Sequence, residues 1–166
     1  MNKKLEDLVN IIQTLRAPNG CDWDRGQTSK SLIPYLLEET YEVIEAIQDD
    51  NTKTLQEELG DLLLHVVFQA ELASENGIFD INDVIKSINA KLINRHPHIF
   101  KPQDKSKDWK KGNWELSKQK EKKRNSILDG IPKILPSLTK ASRIQEKASS
   151  IGFDWNNIKD VKEKVY

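Results

Sequence analysis

"PYLLEETYEVIEAI", residues 34–47, places Glu38, Glu39, Glu42 and Glu45 within eight positions of a segment whose apolar residues recur at helical spacing. Like charges three or four residues apart on a helix repel by roughly 0.2–0.5 kcal/mol per pair. No Lys or Arg lies within the stretch to offset them. At 100° per residue Leu32, Leu36, Val43 and Ile47 form an apolar stripe, with Glu39 on its border, Glu42 one turn on and Glu38 further round. A second acidic helix follows, with Leu55, Leu59, Leu62 and Val66 as its stripe and Glu58 and Asp61 three apart on the border. That spacing brings Cβ atoms to about 5–6 Å. The breaker Asp49-Asp50-Asn51 leaves only a short connection, so the two helices should form an antiparallel hairpin with two carboxylate pairs facing across its seam.

Carboxylates converging in a partly buried place cannot all stay ionised without a cation, because desolvation and mutual repulsion both oppose it. All-oxygen ligation favours Mg²⁺, with Mn²⁺ as the alternative, over zinc. A di-iron bundle would use Glu-x-x-His on two helices; here His65 lies four after Asp61 with no second counterpart. The competing reading of Glu38, Glu42 and Glu45 is a solvated face, although such a face ordinarily mixes both signs of charge.

Working outward, 166 residues suffice for one domain with a real core. No apolar run approaches the ~20 residues that span a bilayer, and the N-terminal segment reads as a helix and not a signal peptide. The lone Cys21 excludes an intrachain disulfide and fits a reducing compartment, the expected location being the cytoplasm. In its turn it reads as a small half-buried filler. Net charge is zero yet segregated: nine acids against Lys53 between Glu38 and Asp61, ten bases against four acids between Lys101 and Arg124. Such segregation suits a metal held by carboxylates and phosphates held by lysines. Direct nucleic-acid binding is not expected.

Periodicity predicts helices over about 3–16, 29–48, 52–76 and 81–94, with Asp80 as N-cap of the last and Asn76-Gly77 closing the one before. "APNGCDWDRGQT" and the lysine-rich 101–111 read as loops, and helical spacing resumes near Trp114 and over 132–150. His96 and His98 flank Pro97 and read as a structural loop in preference to a zinc site. No segment alternates as a strand, so the chain is expected to be all-α, a four-helix-bundle-type module of antiparallel hairpins completed by dimerisation. The run "LLLHVVF" would otherwise lie bare.

An internal repeat relates "IQTLRAPNGCDWD" (12–24) to "IQEKASSIGFDWN" (144–156), matching Ile, Gln, Gly, Asp and Trp in register. Trp23 and Trp155 read as plugs of their loops, with Asp22 or Trp23 lining a ligand site as the alternative. The repeat divides the chain into a module over 1–130 and, over 131–166, a helical connector with the start of a second, truncated module.

With E-E-x-x-E at Glu38–Glu42 and E-x-x-D at Glu58–Asp61, the sequence resembles the MazG family of nucleoside triphosphate pyrophosphohydrolases, within the all-α NTP pyrophosphatase superfamily. "CDWDRGQT", "YLLEETYEVIEAI", "EELGDLLLHVVFQA", "RHPHIF" and "ILDGIPKILPSL" resemble MazG segments in the same order. The resemblance implies cleavage of the α–β bond of an NTP or dNTP to NMP and pyrophosphate, with Mg²⁺ required, in control or cleaning of the nucleotide pool. It implies metal ligation by Glu39, Glu42, Glu58 and Asp61, with Glu38 supporting them or orienting the attacking water. It further implies substrate binding by Lys91 and Arg95, four apart, and by Trp114 and Lys118, four apart. One turn of separation lets a Lys–Arg pair grip two phosphates, and lets Trp stack a base beside a Lys. The same segments also allow a catalytically silent module serving dimerisation or nucleotide sensing, or a relative specialised for one nucleotide.

Overall fold

Two helices running antiparallel, joined by a turn at Asp49–Asn51, organise the N-terminal part of the chain. The computed structural model describes residues 3–100, 121–154 and 157–165, and among them every regular element is an α-helix. In chain order these are α1 (Lys3–Arg16), α2 (Asp22–Gly26), α3 (Ile33–Gln48), α4 (Thr52–Glu75), α5 (Ile81–Arg95), α6 (Pro97–Phe100), α7 (Ser137–Ser149) and α8 (Ile158–Val165). The chain divides into two compact units, Met1–Ala90 and Lys91–Tyr166, and α5 crosses the boundary.

In the first unit α4 packs on α3 and on α1, and α1 also meets α2. Its core holds Ile12, Leu32, Val67, Phe68, Ala70, Leu72 and Ile81, flanked by Leu5, Leu8, Val9, Leu15, Leu64, Val84 and Ile85. Each large side chain fully buried there contributes about 1.5–3 kcal/mol. The core therefore lies along the second half of α4. The apolar stripes are wider than one neighbour covers: Leu36, Val43, Leu55 and Leu62 are half-buried, whereas Ile47, Leu59 and Val66, expected on the buried side, are exposed. "LLLHVVF" is split likewise, with Val67 and Phe68 buried but Leu63 and Val66 exposed.

The helix ends have local chemical causes. α3 starts at Ile33 and not near Ser29, because Thr28 and Ser31 bond reciprocally: the Thr28 N–H donates to Ser31 Oγ at 2.9 Å and the Ser31 N–H to Thr28 Oγ1 at 3.1 Å. Hydroxyl groups used this way compete with the helix, and Pro34 then sits in the first turn, where no N–H is needed. Asn51 caps α4 by accepting from the Thr54 N–H at 3.2 Å. Asp80 caps α5 as predicted, accepting from the Asp83 N–H at 3.0 Å while Asp83 accepts from the Asp80 N–H at 3.2 Å. "APNGCDWDRGQT" is not wholly loop, since it contains α2. α7 starts at Ser137, behind Pro136 as N-cap, and not at Pro132.

In the second unit α7 is anchored by Lys147, a buried residue whose Nζ donates to the Ile127 carbonyl at 2.8 Å. "RHPHIF" forms the short α6, with the His96 and His98 rings 5.9 Å apart and His96 Nδ1 2.8 Å from the Leu92 carbonyl.

α4 closes in a Schellman turn: Gly77 takes φ +66°, its N–H reaches the Ser74 carbonyl at 2.9 Å, and the Ile78 N–H reaches that of Ala73 at 3.0 Å. Gly77→Ala should lower stability by about 1–2 kcal/mol, since a β-carbon is disfavoured at this φ. Urea titration followed by helical circular dichroism checks this: the midpoint should fall while the slope stays constant.

Candidate functional site

Residues 39 and 42 on α3, and 58 and 61 on α4, point into the seam because both helices keep a three-residue spacing on the faces they share. Carboxylate oxygens of Glu39, Glu58 and Asp61 all lie within 4.8 Å of one another, and this is the one converging group of three or more potential ligands among the described residues. Glu39 and Glu58 are half-buried and Asp61 is exposed. Burial holds the Glu39 carboxyl above its ordinary value, and the charges of Glu42, Asp61 and Glu58 push it further the same way. Glu58 is raised likewise, by desolvation first and then by Glu42 and Asp61. Glu42 thus bears on both, although it is not one of the three closest groups. An all-oxygen donor set in which burial and neighbouring carboxylates hold Glu39 and Glu58 above their ordinary values fits a hard divalent cation.

Glu38 and Glu45 are exposed on α3. His65, one turn beyond Asp61, is buried at 7% exposure, and its Nδ1 has no hydrogen-bond partner among the described residues. Burial holds its imidazole below the ordinary value against an opposing pull from Asp61. It is not part of the converging oxygen group.

Trp23 does not plug its loop. It is 53% exposed and stands edge-on to Tyr35, ring centroids 5.8 Å apart at 73°. Tyr35 precedes Glu38, Glu39 and Glu42 by three, four and seven residues, so all four share a face of α3. Cys21 is an exposed thiol, not a half-buried filler. Lys91 and Arg95 sit one turn apart on α5, in the second unit. Lys91 is half-buried, and Arg95 donates through Nε and Nη2 to Glu121 at 3.0 and 2.9 Å. Trp114, Lys118 and Trp155 lie outside the described residues.

Sequence periodicity did not single out Tyr35, Arg16 or Glu75. Tyr35 could have been found by extending the acidic face one turn backwards. Arg16 and Glu75 meet across 59 residues, and no local spacing announces that pairing.

Residues 27–100, which include the whole carboxylate group, match the family model of the MazG nucleotide pyrophosphohydrolase domain. The nucleoside triphosphate pyrophosphohydrolase/pyrophosphatase MazG of Thermotoga maritima is 49% identical over 162 residues, covering 96% of this chain and 62% of that protein. A nucleoside triphosphate pyrophosphohydrolase of Escherichia coli K12 is 44% identical over 168 residues, covering 98% of this chain and 64% of that one. A Bacillus subtilis protein, YabN, described as uncharacterised, is 47% identical over 142 residues, which make up 29% of its length. The chain thus spans somewhat over three fifths of the first two relatives. Residues 27–100 thus form a MazG domain, and identity at this level runs through the helices that carry the acidic seam.

Proposed function

We propose that this chain is an Mg²⁺-dependent nucleoside triphosphate pyrophosphohydrolase that splits the α–β phosphoanhydride of NTPs or dNTPs, releasing NMP and pyrophosphate. The convergence of Glu39, Glu58 and Asp61 within the matched domain is the observation that carries the reading. The names borne by the Thermotoga and Escherichia relatives support it.

In this reading Glu39, Glu42, Glu58 and Asp61 hold the ion, Mn²⁺ being a workable substitute. A divalent ion held there supplies charge neutralisation for a triphosphate and Lewis acidity. Glu38, exposed beside them, accepts a hydrogen bond from the attacking water and aims it at the α-phosphorus, with pyrophosphate leaving in line. The seam admits the phosphates, and the exposed Trp23–Tyr35 pair one turn away offers the nucleoside an apolar edge and face. Lys91 and Arg95, one turn apart on α5, and Trp114 and Lys118 are substrate-binding residues in this reading, Arg95 exchanging Glu121 for phosphate.

A homodimer fits the same picture. Ile33, Leu37, Ile44 and Ile47 on α3, and Leu59, Leu63 and Val66 on α4, are all exposed. They fall roughly 80–160° round their helices from Glu39 and Glu58, hence on one side of the antiparallel pair. A second hairpin against that side would make a four-helix bundle. No helix among the described residues is long and apolar enough to cross a membrane. The cytoplasm, where nucleotide pools and reduced cysteine coexist, is the setting this function needs.

The decisive assay incubates the protein with each common NTP and dNTP, with and without Mg²⁺, and separates products by anion exchange. NMP plus pyrophosphate, dependent on the metal, is expected. NDP plus phosphate would overturn the bond assignment, and nucleotide binding without turnover would favour a silent or sensing module. Glu42→Gln and Asp61→Asn should each lower kcat more than about 100-fold with helical circular dichroism unchanged; retained activity in both counts against the ligand set.

Removing the metal has a signed consequence for stability. A carboxyl whose folded-state pKa is raised binds more protons folded than unfolded. Its stabilising contribution is complete below the ordinary carboxylate value and disappears as pH rises through the raised one. In EDTA the native chain therefore carries more of this repulsion at pH 7 than within the carboxylate range. Combining Glu39→Gln with Glu58→Gln should raise Tm at pH 7 in EDTA, and the gain should shrink as pH falls into the carboxylate range. Adding Mg²⁺ should raise Tm of the native chain but not of the double variant. Light scattering should find a dimer that Leu63→Glu converts to a monomer, and a native monomer would remove the bundle from the proposal.

A further inference from the structure

Arg16, the last residue of α1, has a side chain only 8% exposed. Its Nε and Nη2 donate to the two oxygens of Glu75, in the last turn of α4, at 2.6 and 2.8 Å. Its Nη1 donates to the carbonyls of Asp24 and Gln27, and its guanidinium carbon stands 5.2 Å over the centroid of the Phe68 ring. One planar cation thereby joins α1, α4 and the exit of α2. Only the forked guanidinium can serve a carboxylate and two carbonyls at once; the ammonium of lysine presents a single point of charge.

The two carbonyls bracket Arg25-Gly26, directly after Trp23. From there Gln27 Nε2 donates to the Trp23 carbonyl at 3.1 Å, and Gln69 Nε2 to the Ser29 carbonyl at 3.3 Å. The segment from Trp23 to the start of α3 is thus tied at several points: Arg25 Nη1 donates to Asp22 at 3.0 Å within α2, and Arg16 is the charged group that reaches it from α1. A pairing that merely bound α1 to α4 would need Glu75 alone. In the second copy of the repeat the position of Arg16 is Ala148, and there Ser149 Oγ donates to Asp154 at 2.8 Å instead.

We propose that Arg16 is a positioning residue for nucleotide binding: gripped by Glu75 and stacked on Phe68, it fixes residues 22–27 so that Trp23 is held edge-on to Tyr35 as the nucleoside contact at the end of the acidic face of α3. The inference rests on the pyrophosphohydrolase reading for the identity of the ligand, and on the contacts of Arg16 for the clamp.

The test uses the full chain with Arg16→Lys, Glu75→Gln, Trp23→Ala and the double variant of Arg16→Lys with Trp23→Ala. Hydrogen exchange should accelerate in residues 20–31 of the first two variants and stay unchanged in 5–12 and 64–73. Binding of α,β-methylene ATP and the other α,β-methylene nucleotides with Mg²⁺, read by calorimetry, should weaken about tenfold in Arg16→Lys, and KM should rise similarly with kcat within about twofold. The double variant should bind no more than about twofold worse than Trp23→Ala, because Arg16 acts through Trp23. Uniformly faster exchange across the first unit, unchanged affinity, or additive losses in the double variant would each overturn the clamp. A native chain that binds no nucleotide would sink the functional reading and the clamp together, whereas normal native binding with an indifferent Arg16→Lys removes the clamp alone.

Discussion

Mutual repulsion among Glu39, Glu42, Glu58 and Asp61 is the constraint on which the arrangement of the first unit depends. Beyond desolvation, the charges of Glu42 and Asp61 push the Glu39 and Glu58 carboxyls up, and such crowding of like charge opposes the seam, so the packing that holds it has to be found elsewhere. α4 supplies it by its length. At 24 residues it runs roughly 36 Å, enough to separate an acidic half from an apolar one. Glu58 and Asp61 belong to the first half. In the second half Val67, Phe68, Ala70 and Leu72 are buried with Ile12 of α1, Leu32 at the entry to α3 and Ile81 of α5. The hairpin is closed at one end by apolar burial and held in like-charge opposition at the other. A cation at the opposed end would convert that repulsion into ligation without moving the helices.

Whether an element could be read from the sequence followed from the range of the interactions that define it. α1 and α5 appear within a residue of their expected bounds because caps and periodicity are decided by neighbours three or four positions away. Glu39, Glu58 and Asp61 were legible for the same reason. Their spacing within each helix is local, and a three-residue breaker leaves the two helices only an antiparallel way to meet. α2 escaped notice because five residues are too few to display a period. The late start of α3 depended on Thr28 and Ser31 bonding to each other, a choice that composition allows without requiring. Burial was the least legible property. Leu59 and Val66 sit at core spacing yet face outward, since periodicity gives the direction of a side chain and not whether anything stands opposite.

The repeated motif separates these two kinds of information within one chain. Both copies end a helix with one matching contact, the Gly20 N–H reaching the Ala17 carbonyl at 2.8 Å and the Gly152 N–H that of Ser149 at 2.9 Å. The next N–H reaches the Leu15 carbonyl in the first copy but that of Ala148, the position of Arg16, in the second. Each glycine is needed for its own reason. A β-carbon at Gly20 would collide with the Leu15 carbonyl, whereas Gly152 takes φ +86°. The environments nevertheless diverge. Ile12 is 1% exposed and the neighbouring Gln13 donates to Glu71 on α4 at 3.0 Å. Ile144 is 37% exposed and, with Gln145, Gly152 and Phe153, lines a groove of about 820 Å³. Identical residues at matched positions therefore specify a helix end and its glycine contact in both units, while the turn's backbone and the burial differ. In the first copy the helix packed across the motif is α4, which also carries Glu58 and Asp61. The structural role of the motif and its link to the acidic seam thus come from the same partner, and sequence similarity in the motif alone transfers the helix end without transferring the site.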